Sequence, residues 1–127
     1  MTDLPKSARL RALTLGARAE TIAALWLRAK GYRILARQFA VNSGELDIVA
    51  ARGETLAFVE VKARPSLEAA HGAVSETKRR RICRAAGVWI ARNPWASSGW
   101  TLRGDAVLVV VWRPPLHIEN AFSLELT

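Results

Sequence analysis

Two apolar runs joined by a short polar turn constrain this chain more than any other stretch: Gly44 to Arg64 reads GELDIVAARGETLAFVEVKAR. Val, Ile, Leu and Phe recur through Glu45 to Ala51 and Leu56 to Ala63, and Arg52-Gly53-Glu54-Thr55 separates them, so the segment is predicted as a β-hairpin. Strand alternation then puts Glu45, Asp47 and Val49 on one face of the first strand, and Phe58, Glu60 and Lys62 on one face of the second. Leu46, Ile48, Val59 and Val61 point the other way. A Gly53-Glu54 loop sets Asp47 opposite Glu60 and Glu45 opposite Lys62; an Arg52-Gly53 loop sets Glu45 opposite Glu60, with Asp47 diagonal to it. Both registers bring carboxylates together. Opposed like charges destabilise a sheet, and a buried carboxylate pair shares a proton or needs a cation. Mg2+, which takes oxygen ligands and keeps several waters, would satisfy such a site. The alternative is a cross-strand salt-bridge network on a wet face.

The charge balance sets these acids apart. Among 127 residues there are 19 Lys and Arg against 11 Asp and Glu, a net charge of +8, so the surface away from the hairpin is more basic still. That excess points to a polyanionic partner, nucleic acid ahead of an acidic membrane surface. With half its residues apolar, the chain fits one domain with its own core, spanning 1–127. The only cysteine, Cys83, excludes an intramolecular disulfide. The sequence presents neither a membrane-spanning run nor a signal peptide, so a cytoplasmic protein with no membrane partner is expected.

Along the chain, residues 1–13 read as a loose basic arm able to touch phosphates, or simply as a solubilising tail. From about Leu15 to Lys30 the spacing of Ala19, Ile22, Ala23, Trp26 and Ala29 predicts a helix, with Arg28, Lys30 and Gly31 as its stop. Glu20 within it has no base at helical spacing and small neighbours on both sides, which marks it as a functional acid. Tyr32 to Phe39 is a strand, with Asn42-Ser43-Gly44 turning into the hairpin. Ser75 is a predicted N-cap for a helix to about Arg92, buried through Ile82, Ala85 and Trp89, with Lys78 on the same stripe. Glu76 has Arg79 and Arg80 in helical reach and is read as structural. Lys78, Arg79, Arg80, Arg81 and Arg84, with Arg64 at the end of the hairpin, are the candidate nucleic-acid contacts. His71 and His117 each lack a second His or Cys at ligand spacing and are poor zinc candidates. Trp95 to Trp100 reads as a flexible connection, and AVLVVVW as the centre of a strand buried on both faces. Leu116 to Leu126 is an edge strand or an irregular tail. The order α-β-β-β-α-β predicts an α/β domain with a mixed sheet flanked by helices.

An acid, a second acid on the neighbouring strand, one spacer and a lysine suit metal-assisted phosphodiester hydrolysis. Asp47 and Glu60 would hold Mg2+ or Mn2+, with the Val61 carbonyl as a further ligand. Lys62 would orient or help deprotonate water, and Glu20 would complete the site or sit in its outer shell; Glu45 and Lys78 are auxiliary candidates.

Asp47 followed by Glu60-Val61-Lys62 resembles the PD-(D/E)XK signature of restriction-endonuclease-like folds, which include archaeal Holliday-junction resolvases. In order, GARAE, KGYRILARQF, GELDIVA, LAFVEVKAR, ETKRRRICRAA, RGDAVLVV and HIENAF resemble the YraN-like family of small bacterial proteins, over about Gly16 to Phe122. That resemblance implies a restriction-endonuclease-like fold and an endonuclease acting on DNA, including branched or repair-intermediate DNA, with Glu20, Asp47, Glu60 and Lys62 as the nuclease core and Lys78 on the helix lining it. The signature proline is absent, Leu46 standing before Asp47, and Ala19 replaces the glycine that usually precedes the glutamate. Cutting both strands calls for two active sites, which a homodimer would supply. The alternative function is a non-catalytic nucleic-acid-binding or repair-complex module that keeps the acidic cluster.

Overall fold

The structure, a computed structural model, describes residues 6–64, 74–110 and 112–126, with side chains from Arg18 onward. Residues 65–73, which include His71, and residues 1–5 lie outside it. Helix α1 spans Lys6–Ala29, β1 Arg33–Val41, β2 Gly44–Arg52, β3 Thr55–Arg64, α2 Glu76–Arg92, β4 Thr101–Val110 and β5 Leu116–Phe122. The strands form one mixed sheet in the order β1-β2-β3-β4-β5. Only β3 and β4 run parallel, because α2 carries the chain between them; the other pairs are antiparallel. This layering of helices against a mixed sheet is compatible with a restriction-endonuclease-like core.

Helix α1 starts earlier than predicted. From Lys6 the basic segment is helical rather than a loose arm, since good helix formers run without a proline to Ala29. The helix stops at Gly31, whose φ of +94° lets the Tyr32 N–H reach back to the Leu27 carbonyl at 3.0 Å. Its buried face also differs from the predicted stripe. Ala19, Glu20, Ala23, Ala24 and Leu27 are buried, while Ile22 is 42% exposed. Small side chains let the α1 backbone approach the sheet, and that close seat carries Glu20 inward.

Helix α2 matches its expectation. The Ser75 hydroxyl accepts from the Lys78 N–H, and Ile82, Ala85 and Trp89 are buried. They pack with Leu46, Val49, Leu56 and Phe58 on one side of the sheet, while α1 packs with Ile48, Ala50, Ala57, Val59 and Val107 on the other. The segment after α2 is ordered rather than flexible: Pro94–Ser97 form a 3-10 turn, and Trp95 stands edge-on to Trp89 at 5.7 Å and to Trp100 at 5.6 Å. No helix among the described residues is long and apolar enough to cross a membrane.

Candidate metal and nucleic-acid site

Strands β2 and β3 meet at the Gly53-Glu54 loop, where Arg52 pairs Thr55 and Gly53 takes a φ of +58°. The regular ladder runs from there to Ile48 opposite Val59 and ends. Beyond that point β2 continues beside β1 to Gly44, and β3 continues beside β4 to Arg64, so the sheet splits between them. Asp47 sits in the split, its Oδ2 accepting the Val61 N–H at 2.8 Å in place of a strand partner. The alternation of β2 changes phase at the same place: Leu46 joins Val49 and Ala51 on the α2 side, where strict alternation would group it with Ile48.

Asp47 and Glu60 come together in this split, as the Gly53-Glu54 register predicts, close enough for each carboxyl to act on the other. Glu60 is only 7% exposed. Desolvation and then the charge of Asp47 push its carboxyl up to about 8. Desolvation raises Asp47 as well, partly offset by the Val61 N–H. Both carboxyls are therefore pushed toward the protonated form, Glu60 further than Asp47. Glu60 Oε2 is buried without a hydrogen-bond partner. A buried acceptor of this kind carries a desolvation penalty until something with positive charge reaches it.

Lys78, at the first turn of α2, lies closest to that role, with Nζ 2.7 Å from Glu45 Oε1 and 3.7 Å from Glu60 Oε2. Burial lowers its pKa, but the Glu45 bond and the Glu60 charge outweigh this and hold it above the ordinary value. Arg81 also reaches Glu45, at 3.4 Å, and the two cations lower the Glu45 carboxyl. Glu45 is thus neutralised from α2, whereas Lys78 stays 3.7 Å from Glu60 Oε2, beyond hydrogen-bond range. Lys62 is partly exposed, and its charge acts on Glu60.

Glu20 approaches from α1, and its charge raises Asp47. Its partner comes from another element: Arg37 Nε on β1 lies 2.8 Å from Glu20 Oε1, and Arg37 Nη2 donates to Thr21 Oγ1. The absence of a base at helical spacing was real, yet the strand supplies one. Among the described residues no three His, Cys, Asp or Glu side chains converge as a ready ligand set. Two carboxylates and backbone oxygen still suit Mg2+, which typically takes one or two carboxylates and keeps its waters; Glu20 is engaged by Arg37 instead.

The basic residues differ among themselves. Arg79 is 15% exposed at its side chain and serves Glu76, Glu125 and the Ser123 carbonyl. Arg80, 64% exposed, reaches Glu76 at 3.3 Å. Arg84 and Arg64 are exposed, donating to the Ser43 and Ala63 carbonyls. Glu76 is a structural ion-pair partner, as its spacing predicted.

His117 is not isolated. Its Nε2 lies 2.8 Å from Oδ2 of the fully buried Asp105, and its Nδ1 2.5 Å from Lys30 Nζ. Arg103 adds two bonds of 2.8 Å to Asp105, and the Asn120 N–H one of 3.0 Å. A charged lysine only donates, so Nδ1 carries the lone pair and Nε2–H donates to Asp105. This knot joins the end of α1 to β4 and β5, and sequence spacing gave no hint of it.

Comparison with known proteins bears on the whole assembly. The profile of the uncharacterised protein family UPF0102 matches residues 19–109. The chain belongs to this family. A UPF0102 protein of Methylobacterium nodulans is 55% identical over 125 residues, covering 98% of this chain and 96% of the relative. One from Methylocella silvestris is 52% identical over 117 residues, covering 92% and 94%, and one from Mesorhizobium japonicum 46% over 123 residues, covering 96% and 97%. The UPF0102 span takes in Glu20, Asp47, Glu60, Lys62, Lys78 and Asp105, and ends before His117.

Proposed function

We propose that this UPF0102 protein is a Mg2+- or Mn2+-dependent endonuclease of the PD-(D/E)XK type that hydrolyses phosphodiester bonds in DNA, branched or repair-intermediate DNA included. The observation that carries the reading is the buried Glu60 Oε2, which no hydrogen bond satisfies, beside Asp47 in the split of the sheet. A surface salt-bridge network would leave neither acid buried. Bound there, the ion would polarise a phosphate and stabilise the charge developing on it. Asp47 and Glu60 would hold it, the Val61 N–H fixing Asp47 in place. Lys62, one residue beyond Val61, orients or deprotonates water. Lys78 balances the acids before the site is loaded, and Glu20 steadies Arg37 and the outer shell. A net charge of +8 favours a polyanion at the surface around the acidic pocket.

The second reading, a non-catalytic nucleic-acid-binding module, is favoured by Lys78, which already neutralises part of the cluster. Purified protein with Mg2+ or Mn2+, offered duplex, single-stranded, flapped and four-way DNA, separates the two. The nuclease cuts at least one substrate, and Lys62→Ala abolishes cutting while binding persists. Equal cutting by that variant refutes the assignment. Metal-dependent affinity with no cleavage of any substrate selects the module.

A further inference from the structure

Beside the acidic pocket, α2 and the β1–β2 turn enclose a groove of about 460 Å3, within the roughly 300–1,000 Å3 typical of small-ligand sites. Val41, Val88 and Ala91 give it apolar walls, Asn42 and Arg84 a polar rim, and Gly87 a stretch without a side chain. It adjoins the candidate site through one tight contact. A Cβ on Gly44 would lie 2.9 Å from the Arg81 carbonyl and 3.0 Å from the Ala85 N, so β2 presses on α2 next to Glu45. At ~1.5 Å and ~100° per residue, Gly87 lies about 14 Å along α2 from Lys78 and about half a turn round it, so a strand bound at the pocket reaches the groove across the Arg84 side of the helix.

Apolar walls accept the face of a base, the Asn42 amide both donates and accepts as a base edge does, and the Arg84 guanidinium suits a phosphate. The proposed function already brings a nucleic-acid backbone to the acidic pocket. A duplex keeps its bases stacked inside; only an unpaired nucleotide can offer one to a groove beside its backbone. We propose that this groove takes an unpaired nucleobase of the strand bound at the acidic pocket, so that the protein selects DNA with a single-stranded stretch over continuous duplex. The inference rests on the nucleic-acid reading of that pocket, not on cleavage.

The test fills the groove. A Cβ at Gly87 meets no atom within 4 Å, so Gly87→Leu places its side chain in open space, and any ordinary residue improves on glycine inside a helix. Ala91→Leu, at an exposed position of α2, fills the far end and stands as the second variant. Affinity for tailed and for blunt duplex of equal length is measured by fluorescence anisotropy in EDTA, where no cutting occurs. Wild type binds the tailed DNA more tightly; both variants lose about tenfold on it, the effect of one lost base contact, and stay within about twofold on blunt duplex. Equal affinity of wild type for the two DNAs, or losses by both variants that are absent or equal on both, overturns the proposal. Tail-selective binding without cleavage on adding Mg2+ leaves it standing and removes the nuclease reading; cleavage with an insensitive groove does the reverse.

Discussion

Replacing Glu60 by Gln tests the acidic pair without relying on activity. Burial and the neighbouring Asp47 carry the Glu60 carboxyl from its ordinary 4.5 to about 8 in the folded protein. The folded value lies above the unfolded one, so its contribution to stability is complete below about pH 4.5 and is lost as pH rises through about 8. At roughly 1.4 kcal/mol per pH unit, the ceiling on that loss is about 5 kcal/mol, and sharing of the proton with Asp47 leaves an expected loss of roughly 2–4 kcal/mol. Glutamine keeps the volume and offers Asp47 the donor that a protonated Glu60 provides, and it cannot ionise. Urea unfolding of both proteins in EDTA between pH 5 and 9 should therefore show similar stability at pH 5 and an advantage for Glu60→Gln that grows toward about pH 8 and levels off above it. Mg2+ at millimolar concentration should restore the wild type at pH 8–9 and do little for the variant, because a ligand of the folded state stabilises in proportion to its occupancy. Parallel pH profiles in EDTA would refute the buried, proton-sharing pair, and equal stabilisation of both proteins by Mg2+ would refute Glu60 as a metal ligand.

Asp105→Ala should cost roughly 3–5 kcal/mol in urea unfolding, since it strands Arg103 and His117 in a buried knot. Burial raises the Asp105 carboxyl, but His117, Arg103 and the Asn120 N–H together hold it below 3.8, so its contribution is present above that pH and lost as pH falls through its lower folded value. The wild-type advantage over Asp105→Asn should accordingly shrink only in strong acid, and an advantage that vanishes by pH 5 would contradict the network. Gly104→Ala places a Cβ 2.6 Å from the Phe122 ring and 2.7 Å from the Phe122 carbonyl oxygen. The ring can turn but the β5 backbone cannot, so a loss of about 1–3 kcal/mol is expected, read as a lower melting temperature; an unchanged value would mean that β5 shifts freely.

What the sequence disclosed and what it withheld divide along a physical line. Features set by neighbours in the chain were largely legible: the turn residues narrowed the register of β2 against β3 to two, of which the structure takes the Gly53-Glu54 loop, and Ser75 with Ile82, Ala85 and Trp89 placed α2 with Lys78 on its sheet-facing stripe. Features set by contacts between distant segments were not. The α1 stripe misled because alanines carry too little hydrophobic contrast to orient a helix, so Ile22 was placed inside when it faces out. Arg37 meets Glu20, and His117 meets Asp105, only after the sheet has assembled. The split at Asp47 shows both sides of that line. Alternation correctly joined Asp47 to Glu60, yet it assumed that the ladder continues past Ile48 and Val59, and there the Val61 N–H turns instead to the Asp47 carboxylate. Had the ladder continued, the Val61 N–H would not have been free to hold Asp47, and the two acids would have stood side by side on an unbroken sheet with like charges opposed. Ending the pairing at that point gives Asp47 a fixed donor and leaves a Glu60 oxygen open to a cation, so the feature that pattern reading misses is the one that turns an electrostatic conflict into a binding geometry.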